Sequence, residues 1–296
     1  MERIVVDVRV AARTDRRLGI HEEVGFYGTS GEEMFGAFYR PLRGSPTGSV
    51  LICTSIHAEL LAAYRNEVVL ARSLASAGVA VHRFHYRGVG HSAGDTGEAT
   101  LESMIGDAGA AADRLVDRVG IPPTAIVGTR WGALVAAVTS TRRGGVPLVL
   151  WEPFLEGERF FREAFRAARM SALTRGSESG EPGERPVDQL RRTGLVDVLG
   201  YPISLPLYES GRTARLDDAL GPQPRPILLV QIDRARELRG DYARAIAGWQ
   251  RRGCAVETRL VAAAVAWWLD SEPSGTAGLV GSTREWLLRR LARGAA

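Results

Sequence analysis

The chain has 296 residues, 45% of them hydrophobic, which suits one large α/β domain with an insertion, or two small domains, around a sizeable core. All 38 basic residues are arginine, against 34 acids, and the net charge is +4; without lysine there is no Schiff-base or pyridoxal-phosphate chemistry and no Walker phosphate loop. The arginines are scattered among acids with no basic stripe, which speaks against nucleic-acid binding, and two cysteines, Cys53 and Cys254, are too few for a disulfide framework or a structural zinc site.

The N-terminus, "MERIVVDVRV", is charged and alternating. It reads as an antiparallel strand over 3–10 and not as a signal peptide. A second strand follows at 32–41. Continuous apolar runs come next, at 49–56, 78–86, 124–128, 146–151, 226–233 and 255–261. Such runs mark strands buried on both faces, as in a parallel sheet. Helical stretches near 59–77, 100–118, 131–142, 238–252 and 282–293 separate them. The alternation predicts an α/β fold, a doubly wound and mostly parallel sheet with right-handed crossovers. No apolar run approaches the roughly 20 residues of a membrane span, so a cytoplasmic protein is expected.

Residues 154–222 break the rhythm, separating two core strands by far more than one crossover helix. They hold an amphipathic helix at 157–173, with apolar positions 160, 161, 165 and 168, and then a Gly/Ser/Glu/Pro stretch at 174–188. The expectation is a core formed by 1–153 and 223–296, with 154–222 inserted as a cap over the carboxyl edge of the sheet, where open α/β folds bind ligands.

One motif carries the chemistry. In "IVGTRWGAL" an apolar run ends at Gly128, Gly132 follows, and an Ala-rich helix begins. That is the frame of a nucleophile elbow, and its centre is Arg130. Together with the turn "RGVGHSAGD" (87–95) and the loop "TSIHAELLAAYR" (54–65), the frame resembles the α/β-hydrolase superfamily. The blocks at 149–170 and 198–207 are similar to the second type of exosortase A system-associated hydrolases. The resemblance covers roughly residues 25–290. It implies a Ser–His–Asp triad, with an oxyanion hole in the 54–65 loop, and the triad is degenerate. The nucleophile position holds Arg130, Asp233 fits the acid, and the stretch 261–270 that should supply the base holds no histidine. All five histidines lie at 21, 57, 82, 85 and 91.

Candidate residues follow from this frame. Arg130 either anchors an anion with its planar fork beside a helix N-terminus, or pairs internally with Asp233 first and Glu152 second. His57, Glu59 and Asp233 are the candidate proton carriers. Trp131, Glu152, Trp267 and Cys53 are the candidate lining residues, with Trp268 beside them. Cys53 is alternatively a nucleophile with His57 as base, or inert packing. His82 and His85, three apart on a strand, project to opposite faces and do not share a metal; His85 reads as a turn residue. Neither a metal nor a cofactor is expected. The functional expectation is an atypical enzyme without a serine triad, acting on an anionic or acyl-bearing small molecule: a lyase, isomerase, cyclase or water-using hydrolase. The alternatives are a pseudoenzyme that binds an acyl or carboxylate ligand or a partner protein, and a Cys53 hydrolase. A homodimer is compatible with all of them.

Overall fold

A computed structural model describes residues 5–175, 184–263, 267 and 276–294. Three antiparallel strands open the chain: β1 (Val5–Asp15), β2 (Ile20–Thr29) and β3 (Met34–Pro41). There follow β4 (Gly48–Cys53), α1 (Ala58–Ser76), β5 (Val79–Phe84), α2 (Leu101–Val119), β6 (Ala125–Thr129), α3 (Gly132–Arg142) and β7 (Leu148–Trp151). Between β7 and β10 lie α4 (Gly157–Arg175), α5 (Pro186–Thr193), the hairpin β8 (Leu195–Val198) and β9 (Tyr201–Ser204), α6 (Leu205–Gly211) and α7 (Leu216–Ala219). The chain closes with β10 (Pro226–Asp233), α8 (Gly240–Arg251), β11 (Ala255–Ala262) and α9 (Thr276–Gly294).

The main sheet has nine strands in the order β1-β2-β3-β5-β4-β6-β7-β10-β11. From β5 to β11 every pairing is parallel, and β3 joins β5 antiparallel. The largely apolar and fully buried strands β4, β6 and β7 are explained by their two covered faces. On one face Leu51, Ile126, Leu150 and Leu229 pack with α2, α3 and α8; on the other Val50, Val127, Val149 and Leu228 pack with α1 and α9. The period-two alternation sends successive residues of one run into two separate cores.

Strand β2 is absent from the sequence-based reading. Its "IHEEVGFYGT" mixes His21, Glu22, Glu23 and Thr29 with two glycines, and most of it is half-buried. Pairing to β1 on one side and β3 on the other places it in the sheet. Of the Gly/Ser/Glu/Pro stretch at 174–188, residues 176–183 lie outside the described residues, and Pro186 opens α5 as its first helical residue.

The segment between β7 and β10 is tied to the sheet's elbow at close range. A Cβ at Gly211 would stand 2.4 Å from the Trp131 ring, so only glycine allows α6 to lie against the elbow. Phe160 and Phe161 of α4 pack on the same ring, with centroids 4.8 and 5.5 Å away.

Candidate functional site

Beyond the ends of three adjacent strands, β4, β6 and β7, stand residues with positive φ: His57 at the N-cap of α1, and Arg130 and Glu152 directly after their strands. His57 has φ 56°, Arg130 51° and Glu152 43°. Non-glycine residues held there cost of order 1–3 kcal/mol each and cluster at functional sites. The elbow is locked by its backbone. The Arg130 N–H donates to Trp151 O at 2.9 Å, and the Ala133 N–H donates back to Arg130 O at 3.1 Å. A Cβ at Gly132 would lie 2.2 and 2.3 Å from the carbonyl oxygens of Cys53 and Thr54. Only glycine lets α3 start against the end of β4, so the residue two before it is presented above the sheet edge.

That residue, Arg130, is only 2% exposed. Its Nε and Nη2 donate to Glu59 Oε1 at 3.2 and 2.9 Å, and Nη2 also donates to Glu163 Oε2 at 2.9 Å. Nη1 lies 3.5 Å from Glu152 Oε1, and the guanidinium sits 4.2 Å over the Phe154 ring. Burial works against the charge, but the Glu59 and Glu152 carboxylates outweigh it and raise the arginine pKa further above its ordinary value. The three acids come from three elements: the first turn of α1, the end of β7, and α4.

Further groups brace these acids. Ser55 Oγ donates to Glu59 Oε2 at 2.6 Å. Arg159 donates to Glu163 at 2.9 Å and to Asp241 at 2.8 Å. Arg239 lies 3.6 Å from Glu152 and donates to Asp241 at 3.1 Å. Trp267 Nε1–H donates to Glu152 Oε2. Burial pushes the Glu152 carboxyl up to about 7, with Arg130 and the Trp267 hydrogen bond pulling the other way. Glu163, less deeply buried, is held below the usual carboxylate range because Arg130 and Arg159 outweigh its burial.

Asp233 and Glu152 are the partners the sequence suggests for Arg130. The structure gives the hydrogen bonds to Glu59 and Glu163, and Glu152 stands at longer range. Asp233 instead accepts the Ala235 N–H at 2.7 Å in the turn after β10. The sheet order supplies the reason: β7 stands between β6 and β10, so Glu152 is nearer to the elbow than any residue ending β10. Glu163 escapes the sequence reading. Its signal is a carboxylate one turn beyond Phe160 on the buried side of α4.

His57 precedes α1 and stacks on Phe160, with ring centroids 6.1 Å apart. Its Nε2 is buried with no hydrogen-bond partner among the described residues, and burial drives its pKa down to about 4, so the ring is neutral. Cys53 is fully buried in the core, and burial pushes its thiol well above the ordinary range, away from the nucleophilic thiolate. Trp131 turns its Nε1–H to Met104 Sδ at 3.4 Å and its ring to the insert. Trp267 reaches Glu152, and Trp268 lies outside the described residues. His82 Nδ1 pairs with Ala111 O at 3.0 Å, whereas His85 Nδ1 accepts the His91 N–H at 3.1 Å inside the 87–95 turn. No cluster able to hold a metal occurs among the described residues.

A mostly parallel sheet with helices on both faces, a strand–elbow–helix at its centre and a helical insert after the following strand define the α/β-hydrolase fold. The model of a family described as serine aminopeptidase, S33, matches residues 45–176, from just before β4 into the end of α4. Among solved structures, Est1E from Butyrivibrio proteoclasticus with ferulic acid bound is similar to this chain, with a TM-score of 0.63, 15% identity, and coverage of 90% of this chain and 99% of that one. The DcsB complex with its substrate analogue has a TM-score of 0.58 at 16% identity, covering 92% and 99%. An S-formylglutathione hydrolase from Agrobacterium tumefaciens has 0.56 at 13%, covering 96% and 99%. No curated protein matches the sequence significantly. Among the described residues no helix is long and apolar enough to cross a membrane.

Proposed function

We propose that this chain is a non-hydrolysing protein of the α/β-hydrolase fold, which binds an acyl-bearing or anionic small molecule without forming an acyl-enzyme. The observation that carries this is the state of the elbow. Its side chain is a buried guanidinium that already faces three carboxylates, Glu59, Glu152 and Glu163. Acyl transfer needs a nucleophile with a base in hydrogen-bond reach. Arg130 offers no lone pair, and the segment after the last strand contains no histidine. Nor does the arginine await a ligand carboxylate, since an incoming anion would have to displace one of its three acids. The insert, under this reading, acts as a cap that supplies Glu163 and closes the elbow. The similarity of 149–170 and 198–207 to the second type of exosortase A system-associated hydrolases fits a lineage in which the fold is kept and the triad is lost.

The test is an activity-based fluorophosphonate probe together with a panel of p-nitrophenyl esters and acyl thioesters. The expected result is no serine labelling and no turnover above background, for the natural protein and for Arg130→Ser alike. Stoichiometric labelling, or ester turnover that disappears with Cys53→Ala, overturns the proposal.

A second reading rests on Glu152. A carboxyl that titrates near neutrality beside a fixed cation is equipped for proton transfer. A lyase, isomerase, cyclase or water-using hydrolase would employ it in that way. Any turnover that Glu152→Gln abolishes while leaving ligand affinity intact favours this reading over the first.

A further inference from the structure

The second face of α4 borders a cavity of about 460 Å³ between α4, the start of α5 and α6. This volume falls within the range of small-molecule sites. Its apolar wall is Phe161, Phe165, Met170, Val187 and Tyr208. Phe161 and Phe165 each pack on the Tyr208 ring, at 5.1 and 6.0 Å, so the wall is one continuous aromatic surface. On its other side Phe161 touches Trp131, the residue that follows the elbow arginine.

The rim is cationic. Arg162, Arg166 and Arg169 stand at spacings of four and three along α4, on one side of the helix, and all three are exposed. None of them forms an ion pair with an acid among the described residues. Arg185, also at the cavity, is held by Asp188 at 2.7 Å, and Arg212 stacks over Tyr208 at 5.9 Å. The one acid in the lining is Glu158, at the N-terminal end of α4. Guanidinia one turn apart repel one another and are relieved by an anion that two forks can grip at once. An apolar recess behind such a rim adds a demand for hydrocarbon.

We infer that this cavity binds a single-chain amphiphilic anion: an acyl or alkyl chain, seated on Phe161, Phe165 and Tyr208, that ends in a phosphate gripped by Arg162, Arg166 and Arg169. The inference deepens the proposed binding role by naming its ligand class and by moving the ligand from the elbow to the insert. The two ideas fail separately. A released product would end the non-hydrolysing reading, whereas the site is judged by affinity alone.

The experiment is calorimetric titration of the full chain with dodecyl phosphate below its micelle point, with inorganic phosphate and uncharged dodecanol as the two half-ligands. The expected result is one site per chain for dodecyl phosphate and at least tenfold weaker binding of either half. The double variant Arg162→Gln/Arg166→Gln, at exposed positions, should bind roughly ten- to a hundredfold more weakly, the loss expected for one or two charged hydrogen bonds. Val187→Trp, which fills the recess, should abolish binding while leaving the thermal midpoint near that of the natural protein. If that variant does not fold, the arginine pair decides alone. Unchanged affinity in the arginine variant overturns the inference, and so does inorganic phosphate binding as tightly as dodecyl phosphate. Co-sedimentation with phosphatidate vesicles without binding of monomeric dodecyl phosphate overturns it too, and would transfer the arginines to a membrane surface.

Discussion

The two faces of α4 present opposite charge problems. Its inner face delivers Glu163 to Arg130 and Arg159 to Asp241, where one buried guanidinium meets three carboxylates. Its outer face carries three arginines beside a cavity with one acid in its lining. Around Arg130 the inner side is buried, and desolvated charges persist there only because they are paired and hydrogen-bonded. The outer side is wet and unbalanced, and solvent tolerates the imbalance at little cost. One helix therefore carries a half-buried, paired charge on one face and an exposed row of like charges on the other.

The inner cluster should respond most strongly to loss of its centre. Arg130→Met removes the cation that Glu59, Glu152 and Glu163 share, leaving Glu163 to Arg159 and Glu152 to Arg239, and breaking a buried pair from one side costs about 3–5 kcal/mol. Urea unfolding at pH 8 should show that loss, and the loss should shrink at pH 5 as the abandoned acids take up protons. A loss under about 1 kcal/mol at pH 8 would mean that the cluster contributes nothing to holding the fold.

Glu152 sets the pH dependence. Its pKa is raised from 4.5 to about 7 in the folded state, so between those values the native protein binds more protons than the unfolded chain. Stability from this group is full below pH 4.5 and falls as pH rises through about 7. At about 1.36 kcal/mol per pKa unit the fall is roughly 3 kcal/mol. Glu152→Gln keeps the shape and an acceptor for Trp267 but cannot ionise. Its stability curve should be flat where that of the natural protein declines. Parallel curves across pH 5–8 would show that Glu152 does not titrate there.

Glu163→Gln removes one of the three acids and the brace to Arg159. It should cost about 1.5–3 kcal/mol, the range for a hydrogen bond to a charged group. The loss should also be accompanied by faster proteolytic cleavage in α4, since this carboxylate ties the helix to the elbow. Unaltered cleavage would show that the aromatic contacts alone hold α4 in place.

On the outer face the smallest effect, with the opposite sign, is expected. Arg166→Glu replaces two repulsions, with Arg162 and Arg169, by attractions, and should stabilise the unliganded protein by about 0.5 kcal/mol. The gain should vanish in high salt, because the pair is exposed. A loss of stability would mean that Arg166 already has an attractive partner.

Some features of this protein were legible in its residues alone. The apolar runs that became β4, β6 and β7 announce themselves because each is covered on both faces, which leaves few polar positions to blur the signal; β11, at the sheet edge, is only partly buried and carries Glu257 and Arg259. The elbow is equally local. Gly128 and Gly132, four apart at the end of a strand, describe a turn whose geometry depends on missing Cβ atoms, and that is a property of the chain itself. The lack of histidine in the stretch after the last core strand was readable too, since it is a property of the sequence itself. Strand β2 was not legible: its mixed residues acquire a β conformation from pairing on two sides, which only the assembled sheet supplies. Of the partners of Arg130 only Glu152 was suggested by the sequence, as the second candidate; Glu59 and Glu163 were not legible. Glu59, Glu152 and Glu163 are separated by up to about a hundred residues and belong to three elements, and strand order decides which carboxylate reaches the elbow. Pairing is governed by distance in space, and long-range Coulomb attraction leaves no periodic mark on a sequence. For the same reason the arginines of α4 look alike in the chain, whereas packing sends Arg159 inward to Glu163 and leaves Arg162, Arg166 and Arg169 at the cavity's edge.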